Sequence, residues 1–311
     1  MEKVILEGVA QQPETVRTFL KNQWELSERL LRKLKLNKRI LCNGKEIWVN
    51  EILNPGDKVQ ADISFEETND EILAEEQPLE ILYEDACLLI LNKPGNIVVH
   101  PTCLHPTGTL ANGVKAYLEG KKEHILTRFV NRLDRETSGV IVFAKNEYTQ
   151  EILAKQMQKK VFEKEYIAVV NGVISEDSGT IDFPIKRAPD SIMLRMTATD
   201  GEEAITHFEV VQRFSKYTVL RLRLETGKTH QIRVHCKAIG HPIVGDGLYG
   251  EEKTELIGRQ ALHAEKIRFL HPITKEKLEI TAKLPKDMEE LIARLTFEEK
   301  MDSMNAVRTT T

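Results

Sequence analysis

A chain of 311 residues, 41% hydrophobic and 30% charged, can bury a sizeable core, and its length suggests about two domains. No apolar run approaches the roughly 18 residues of a membrane span, and Met1-Glu2-Lys3-Val4 lacks the basic and apolar regions of a signal peptide, so a cytoplasmic protein with no membrane attachment is expected. Cys42, Cys87, Cys103 and Cys236 have no paired spacing and fit reduced thiols, while 44 basic against 48 acidic residues leave a net charge of −4, so any binding to nucleic acid must rest on how charge is distributed.

That distribution is uneven. Residues 17 to 48 hold nine Lys or Arg against three acids, Glu25, Glu28 and Glu46. A helix is expected near Glu14 to Asn22 and a second over Ser27 to Leu36, where Leu30, Leu31 and Leu34 share one face and the cations the other. Short strands follow at Arg39–Cys42 and Ile47–Val49 around an Asn43-Gly44 turn, and Pro55-Gly56-Asp57-Lys58-Val59 leads into another. Two helices with a small hairpin resemble a divergent S4-type RNA-binding domain. The resemblance implies that Arg29, Arg32, Lys33 and Lys35 lie along RNA phosphates, against the plainer reading of a solvated helix face. Glu66-Glu67-Thr68-Asn69-Asp70-Glu71 and Glu75-Glu76-Gln77-Pro78 then reverse the charge. The expected organisation is an RNA-binding domain over 1–65, an acidic linker over 66–78, a catalytic domain over 79–298 and a disordered tail over 299–311.

From Leu79 onward strands dominate. Ile81–Tyr83 and Cys87–Leu91 form a hairpin pattern around Glu84-Asp85-Ala86, and Val140–Ala144 reads as a fully buried strand. Asn146 can cap a helix over Glu147–Lys159. Strands are expected at Lys164–Val170, Met193–Thr199, Ala204–Val211 and Thr218–Leu224, and a helix over His230–Ile239, with Thr229 as N-cap and Gly240 just past its end. The pattern is α+β, without βαβ alternation, internal repeat or glycine-rich phosphate loop.

Chemistry concentrates at Asn131-Arg132-Leu133-Asp134-Arg135-Glu136-Thr137-Ser138-Gly139. Asp134, between two arginines and before a buried strand, is the first candidate for a fixed acid or nucleophile, although by residue type alone the default reading is a surface Asp that caps the turn or pairs with Arg132 or Arg135. Arg233, beside the apolar face of Ile232, Cys236 and Ile239, could pair with a carboxylate, pack structurally or contact phosphate. Tyr166, in a strand-like run, reads by default as core. The nonapeptide, with Thr226–His235, Ile239–Asp246, Leu91–Gly95 and His100-Pro101, Lys164-Glu165-Tyr166, Ala261–Ala264 and His271-Pro272, resembles the RluA-type pseudouridine synthases, with all elements in the family's order.

The resemblance implies a central, largely antiparallel sheet with flanking helices and a cleft across it. It makes Asp134 the nucleophile, Arg233 its ion-pairing partner and Tyr166 the ring that stacks on a flipped base. It assigns Arg132 to the gap the base leaves in the RNA, with Arg135, Lys164, Lys228, His230 and Gln231 as further RNA contacts. Two positions depart from the common family pattern: Asn131 stands where histidine usually precedes Arg-Leu-Asp, and Lys228 where arginine is usual. A glycoside hydrolase would need paired carboxylates, and Glu136, in the same turn as Asp134, has no evident role as proton donor. Neither His100-x-x-Cys103-x-His105 nor His230, His235 and His241 supplies a convincing four-ligand set, so no metal is expected, and isomerisation needs no cofactor. The substrate implied is structured RNA: large-subunit rRNA is preferred for a chain with an S4-type domain, tRNA is the alternative, and a catalytically silent ribosome-assembly factor is the competing class. A monomer is the default.

Overall fold

A computed structural model of the chain describes residues 2–67, 71–126, 128–250 and 255–309. The N-terminal part consists of β1 (Ile5–Val9), β2 (Glu14–Thr15), α1 (Val16–Trp24), α2 (Glu28–Leu36), β3 (Ile40–Cys42), β4 (Lys45–Glu46), β5 (Ile52–Leu53) and β6 (Lys58–Asp62). Four strands form a sheet in the order β1-β6-β3-β4, and β2 pairs with β5. That pairing takes Glu14 and Thr15 out of the helix expected to start there, and Thr15 instead caps α1 by accepting from the Thr18 amide. Ser27 caps α2 in the same way, and Leu30, Leu31 and Leu34 are buried as their spacing requires. Asn43 and Gly44 both have positive φ, 50° and 81°, the signature of a tight hairpin turn. The hairpin is shorter than expected: its second strand ends at Glu46, and Ile47–Val49 turns away, with the Trp48 amide donating to Glu51 Oε1 at 2.7 Å.

The larger part contains β7 (Glu80–Glu84), β8 (Leu88–Lys93), α3 (Leu110–Gly120), β9 (Arg128–Phe129), β10 (Ser138–Ala144), α4 (Glu147–Gln158), β11 (Glu163–Asn171), β12 (Ser178–Asp182), β13 (Ile185–Arg187), β14 (Arg195–Thr197), β15 (Ile205–Arg213), β16 (Tyr217–Leu224), α5 (Gln231–Ala238), β17 (Leu262–Leu270), β18 (Lys277–Thr281) and α6 (Lys286–Thr309). The sheet runs β12-β15-β16-β11-β17-β10-β8-β7, with β18 on β17 and β9 on β10. Its pairs are antiparallel except β10 with β17, which matches the expected mixed, largely antiparallel α+β fold. The strand expected at Met193–Thr199 keeps only three residues, β14, paired with β13 in a separate hairpin.

The continuous apolar runs of β8 and β10 have a simple cause, since both faces of the sheet are covered. Leu89, Leu91, Ile141 and Phe143 point into one core, shared with α3, α5 and α6; Leu88, Ile90, Val140 and Val142 point into the other, which continues through Tyr148, Ile152 and Leu153 of α4 into the core of the N-terminal part.

The expected linker makes contacts with the larger part, and the expectation for the tail is corrected. The acidic linker is tied down: Glu67 N donates to His124 O at 2.8 Å, Glu75 N to Asn112 O at 3.2 Å and Gln77 Nε2 to Thr109 O at 2.6 Å, while residues 68–70 lie outside the described residues. The tail expected to be disordered from 299 belongs to α6 up to Thr309; Met288, Leu291 and Leu295 anchor that helix, and Glu299 Oε2 accepts from Ser215 N at 2.8 Å. Residues 310 and 311 lie outside the described residues. No described helix is long and apolar enough to cross a membrane.

Candidate active site

Asp134 sits on the loop between β9 and β10, and much of the surrounding structure holds that loop still. Thr137 N donates to Asp134 O at 3.1 Å, closing the turn. Gly139 has φ +115°, and a Cβ there would collide with the Ala264 carbonyl, so the Thr-Ser-Gly sequence lets β10 pass hard against β17. Arg259 Nη1 donates to Glu136 O at 2.9 Å, Gln260 Nε2 to Thr137 Oγ1 at 2.7 Å, and Ser138 Oγ meets His263 Nδ1 at 2.9 Å. Lys93, fully buried at the end of β8, donates to the carbonyls of Pro94, Ile97 and Arg135 at 2.8, 3.0 and 2.9 Å. Burial and nearby Arg259 pull its ammonium down to about 7, while the negative charge of Asp134 acts in the other direction.

Arg233 projects from α5 and meets Asp134: Nη1 donates to Oδ2 at 3.0 Å. Asp246 holds the other side of the guanidinium, accepting from Nε at 2.7 Å and from Nη2 at 2.8 Å. Asp246 is fully buried and also accepts from the Leu248 and Tyr249 amides. Burial opposes its charge, yet Arg233 and those amides hold the carboxyl below the usual range. The same two carboxylates raise Arg233 against its own burial. A charged arginine held bidentately by Asp246 thus presents Nη1–H to Asp134. The Tyr249 ring lies under the guanidinium, 4.9 Å from its carbon, and its hydroxyl meets His230 Nδ1 at 2.8 Å. His230 Nε2 in turn faces Asp134 Oδ2 at 3.8 Å, and burial, the largest influence, lowers its pKa.

A cleft of about 1100 Å³ opens over this group. Asp134, Arg132, Arg135, Lys164, Tyr166, Lys228 and His230 all line it, as do Arg128 and Arg195. Tyr166 is 6% exposed in β11, and burial followed by the charge of Asp134 raises its hydroxyl, so the ring reaches the cleft as a neutral, largely apolar surface. Burial lowers Lys164.

Several expected residues stand elsewhere. The helix starts one residue later than expected, with His230 rather than Thr229 at its N-cap; His230 has φ 58°. Gln231, expected at the RNA, is 2% exposed: its Oε1 accepts from Lys228 N and Thr226 Oγ1, and its Nε2 donates to Ile205 O and Thr206 Oγ1. It therefore splices α5 to β15. On α2, Arg29, Arg32 and Lys35 are exposed, Arg29 even though its Nε lies 2.8 Å from Glu147 Oε1, whereas Lys33 is half-buried with Nζ 2.6 Å from Glu67 Oε1. Arg233 is bonded to Asp134, and Tyr166 lines the same cleft. Asp246, Tyr249, Lys93 and Arg259 were not singled out, although the first and third lie inside the motif segments.

The family model described as RNA pseudouridylate synthase matches residues 87–238, and that of the RluD ribosomal pseudouridine synthase N-terminal domain matches residues 9–59. The chain is 41% identical over 291 residues to the uncharacterised RNA pseudouridine synthase YlyB of Bacillus subtilis, covering 92% of this chain and 95% of that one. The chain belongs to the RluA family of pseudouridine synthases. It is also 38% identical over 288 residues to ribosomal large subunit pseudouridine synthase D of Escherichia coli K12, covering 87% of each. Among solved structures, human RNA pseudouridylate synthase domain containing 1 matches with a TM-score of 0.56 and 25% identity over 70% of this chain and 95% of that one.

The two departures of this synthase from the common family pattern have structural counterparts. Asn131 is buried; its Oδ1 accepts from Val142 N at 2.8 Å and its Nδ2 donates to Val140 O at 3.3 Å, extending the β9–β10 ladder by a side chain. Lys228 pairs with Glu202 at the cleft rim. The histidines considered for metal point apart: His235 bonds to Thr206 and Phe183 O, His241 to Asn171 O, and His230 to Tyr249. Among the described residues Asp85, Cys87 and His271 do bring potential ligand atoms within 4.8 Å of one another. Asp85 is already occupied by His271 Nε2, the Tyr83 hydroxyl and the Cys87 and Leu88 amides, an arrangement that ties the β7–β8 turn to the end of β17.

Proposed function

We propose that this synthase isomerises uridines in large-subunit ribosomal RNA with Asp134 as the nucleophile. The observation that carries the reading is the Asp134–Arg233 pair at 3.0 Å, set in a cleft that also presents the Tyr166 ring. The reaction breaks the bond from N1 of uracil to C1′, turns the ring, and forms a bond from C5 to C1′; C5 loses a proton and N1 gains one. No oxidant or phosphoryl donor enters that balance.

Asp134 initiates the exchange by attack on the sugar C1′ or on C6 of the ring. Arg233, held from behind by Asp246, donates to the Asp134 carboxylate and keeps its direction. Tyr166 offers a stacking surface to a base removed from its helix, which replaces roughly 1–3 kcal/mol of lost stacking. Arg132 fills the place the base vacates, and Arg135, Lys164, Lys228 and His230 meet phosphates around the cleft. Residues 1–65 act as an S4-like RNA-binding domain through Arg32 and Lys35, residues 66–78 as its tether, and residues 79–298 as the catalytic domain. The enzyme works as a monomer in the cytoplasm. The rRNA preference rests on the matched N-terminal domain model and on the relatives named for the large subunit.

Pseudouridine mapping in total RNA from cells lacking the protein tests the substrate. Loss at large-subunit rRNA positions, restored by the wild-type gene, is expected; loss confined to tRNA would overturn the assignment.

A further inference from the structure

Four side chains of α4 and the residue after it stand at four-residue spacing on one helix face: Glu147, Glu151, Lys155 and Lys159. Each of them meets the N-terminal part. Arg29 Nε lies 2.8 Å from Glu147 Oε1, and Lys33 Nζ is 4.0 Å from Glu147 Oε2. Ser27 Oγ donates to Glu151 Oε1 at 2.8 Å. Lys155 Nζ donates to the Glu25 carbonyl at 2.7 Å and lies 3.4 Å from Glu25 Oε2, while Lys159 Nζ is 3.6 Å from Glu25 Oε1. Glu25 has φ 53°, the left-handed close of α1, which aims its carbonyl outward at α4.

The stripe is acidic at the N-terminal end of α4 and basic at its C-terminal end, the order the helix dipole favours, and its partners run basic to acidic against it. The Glu147 side chain is 9% exposed and neither of its oxygens accepts a hydrogen bond among the described residues, so Arg29 and Lys33 supply the charge that stabilises it. A second path runs from Lys33 to Glu67 and from Glu67 to Arg128, which lines the catalytic cleft. Beneath both lies the apolar core that α4 shares with the N-terminal part.

We propose that this face of α4 is the docking seat of the N-terminal domain and a specificity determinant of the reaction. By holding α2 in one pose it fixes the distance from the exposed Arg32 and Lys35 to the cleft, so that only a uridine at the matching spacing in a folded RNA reaches Asp134. The inference rests on the RNA-isomerase reading for its functional half and on the interface geometry for its structural half.

The test uses the full-length protein and two charge reversals at opposite ends of the stripe, Glu147→Arg and Lys155→Glu. X-ray scattering of the wild type should give a radius of gyration near the roughly 19–20 Å of a compact chain of this length, rising by about 2 Å in either variant. KM for the long folded rRNA should rise roughly tenfold as two surfaces stop acting together. Turnover on a short hairpin carrying the same uridine should stay within about twofold. Adding Arg29→Glu to Glu147→Arg, or Glu25→Lys to Lys155→Glu, should restore both radius and KM, which a merely destabilised helix would not show. Unchanged scattering in both single variants would overturn the seat. Restored scattering with KM still raised in both double variants would overturn its role in specificity. Scattering that shifts and recovers in a protein inactive on every rRNA would leave the docking standing and refute the substrate.

Discussion

Arg233 is shared between two carboxylates with different tasks. Asp246 is buried and takes two of its N–H groups; Asp134 is partly open and takes one. An arginine held by a single partner could swing with it, whereas one locked from behind presents a fixed donor, and a misplacement of about 1 Å near reacting atoms costs on the order of a hundredfold in rate. Asp246→Asn keeps the shape and removes the charge, so single-turnover rates should fall by roughly ten- to a hundredfold while RNA affinity is retained. Wild-type rates in that variant would refute the backing role. Asp134, Tyr166 and Arg233 could be singled out in the sequence because their motifs sit in family register, and the fold sets Asp134 and Tyr166 in one cleft with Arg233 bonded to Asp134. Asp246 was visible as a residue but not as a partner, since its reach to Arg233 depends on the turn after α5. Gln231 was misplaced because nothing in a sequence tells a side-chain amide that binds backbone from one that binds RNA. Lys93 was hidden for a related reason: lysines belong on surfaces unless, as here, carbonyls converge on the ammonium.

At the scale of elements, amphipathic α2 and the buried strand β10 followed from periodicity. What periodicity cannot supply is the neighbour of a polar face. Lys33 is half-buried against Glu67, Arg29 is exposed beside Glu147, and Arg32 and Lys35 face solvent. The cations of α2 therefore differ in surroundings, and Arg32 and Lys35, which face solvent, should register most in the salt dependence of RNA binding. Each phosphate contact contributes close to one unit of slope in log affinity against log salt, so Arg32→Ala and Lys35→Ala should each reduce the slope by about one. Binding curves across a salt series would decide it, and unchanged slopes in both variants would remove α2 from the RNA surface. The tail was misjudged at this scale because its polar composition masks a helix anchored upstream by Met288, Leu291 and Leu295.

Taken as a whole molecule, the chain divides by composition more sharply than by packing. The charge reversal after residue 65 marks a boundary in the sequence, yet one apolar core runs from β1 through α2 to α4 and the large sheet, and part of the acidic segment is bonded to α3. Point variants therefore test the N-terminal domain more cleanly than its removal, which would expose the apolar cover of α4. The sheet, the cleft and the family followed from motif order; the seating of one domain on the other did not, because contacts between residues more than a hundred positions apart leave no local periodicity.

The proposed chemistry turns on one carboxylate, Asp134, acting on uridine. Isomerisation exchanges the hydrogen at C5, so tritium release from large-subunit rRNA carrying 5-³H-uridine reports turnover directly. The wild-type protein should release tritium, and Asp134→Ala should release none above background while binding the same RNA with unchanged affinity. Tritium release that survives Asp134→Ala would contradict the assignment of Asp134 as the nucleophile.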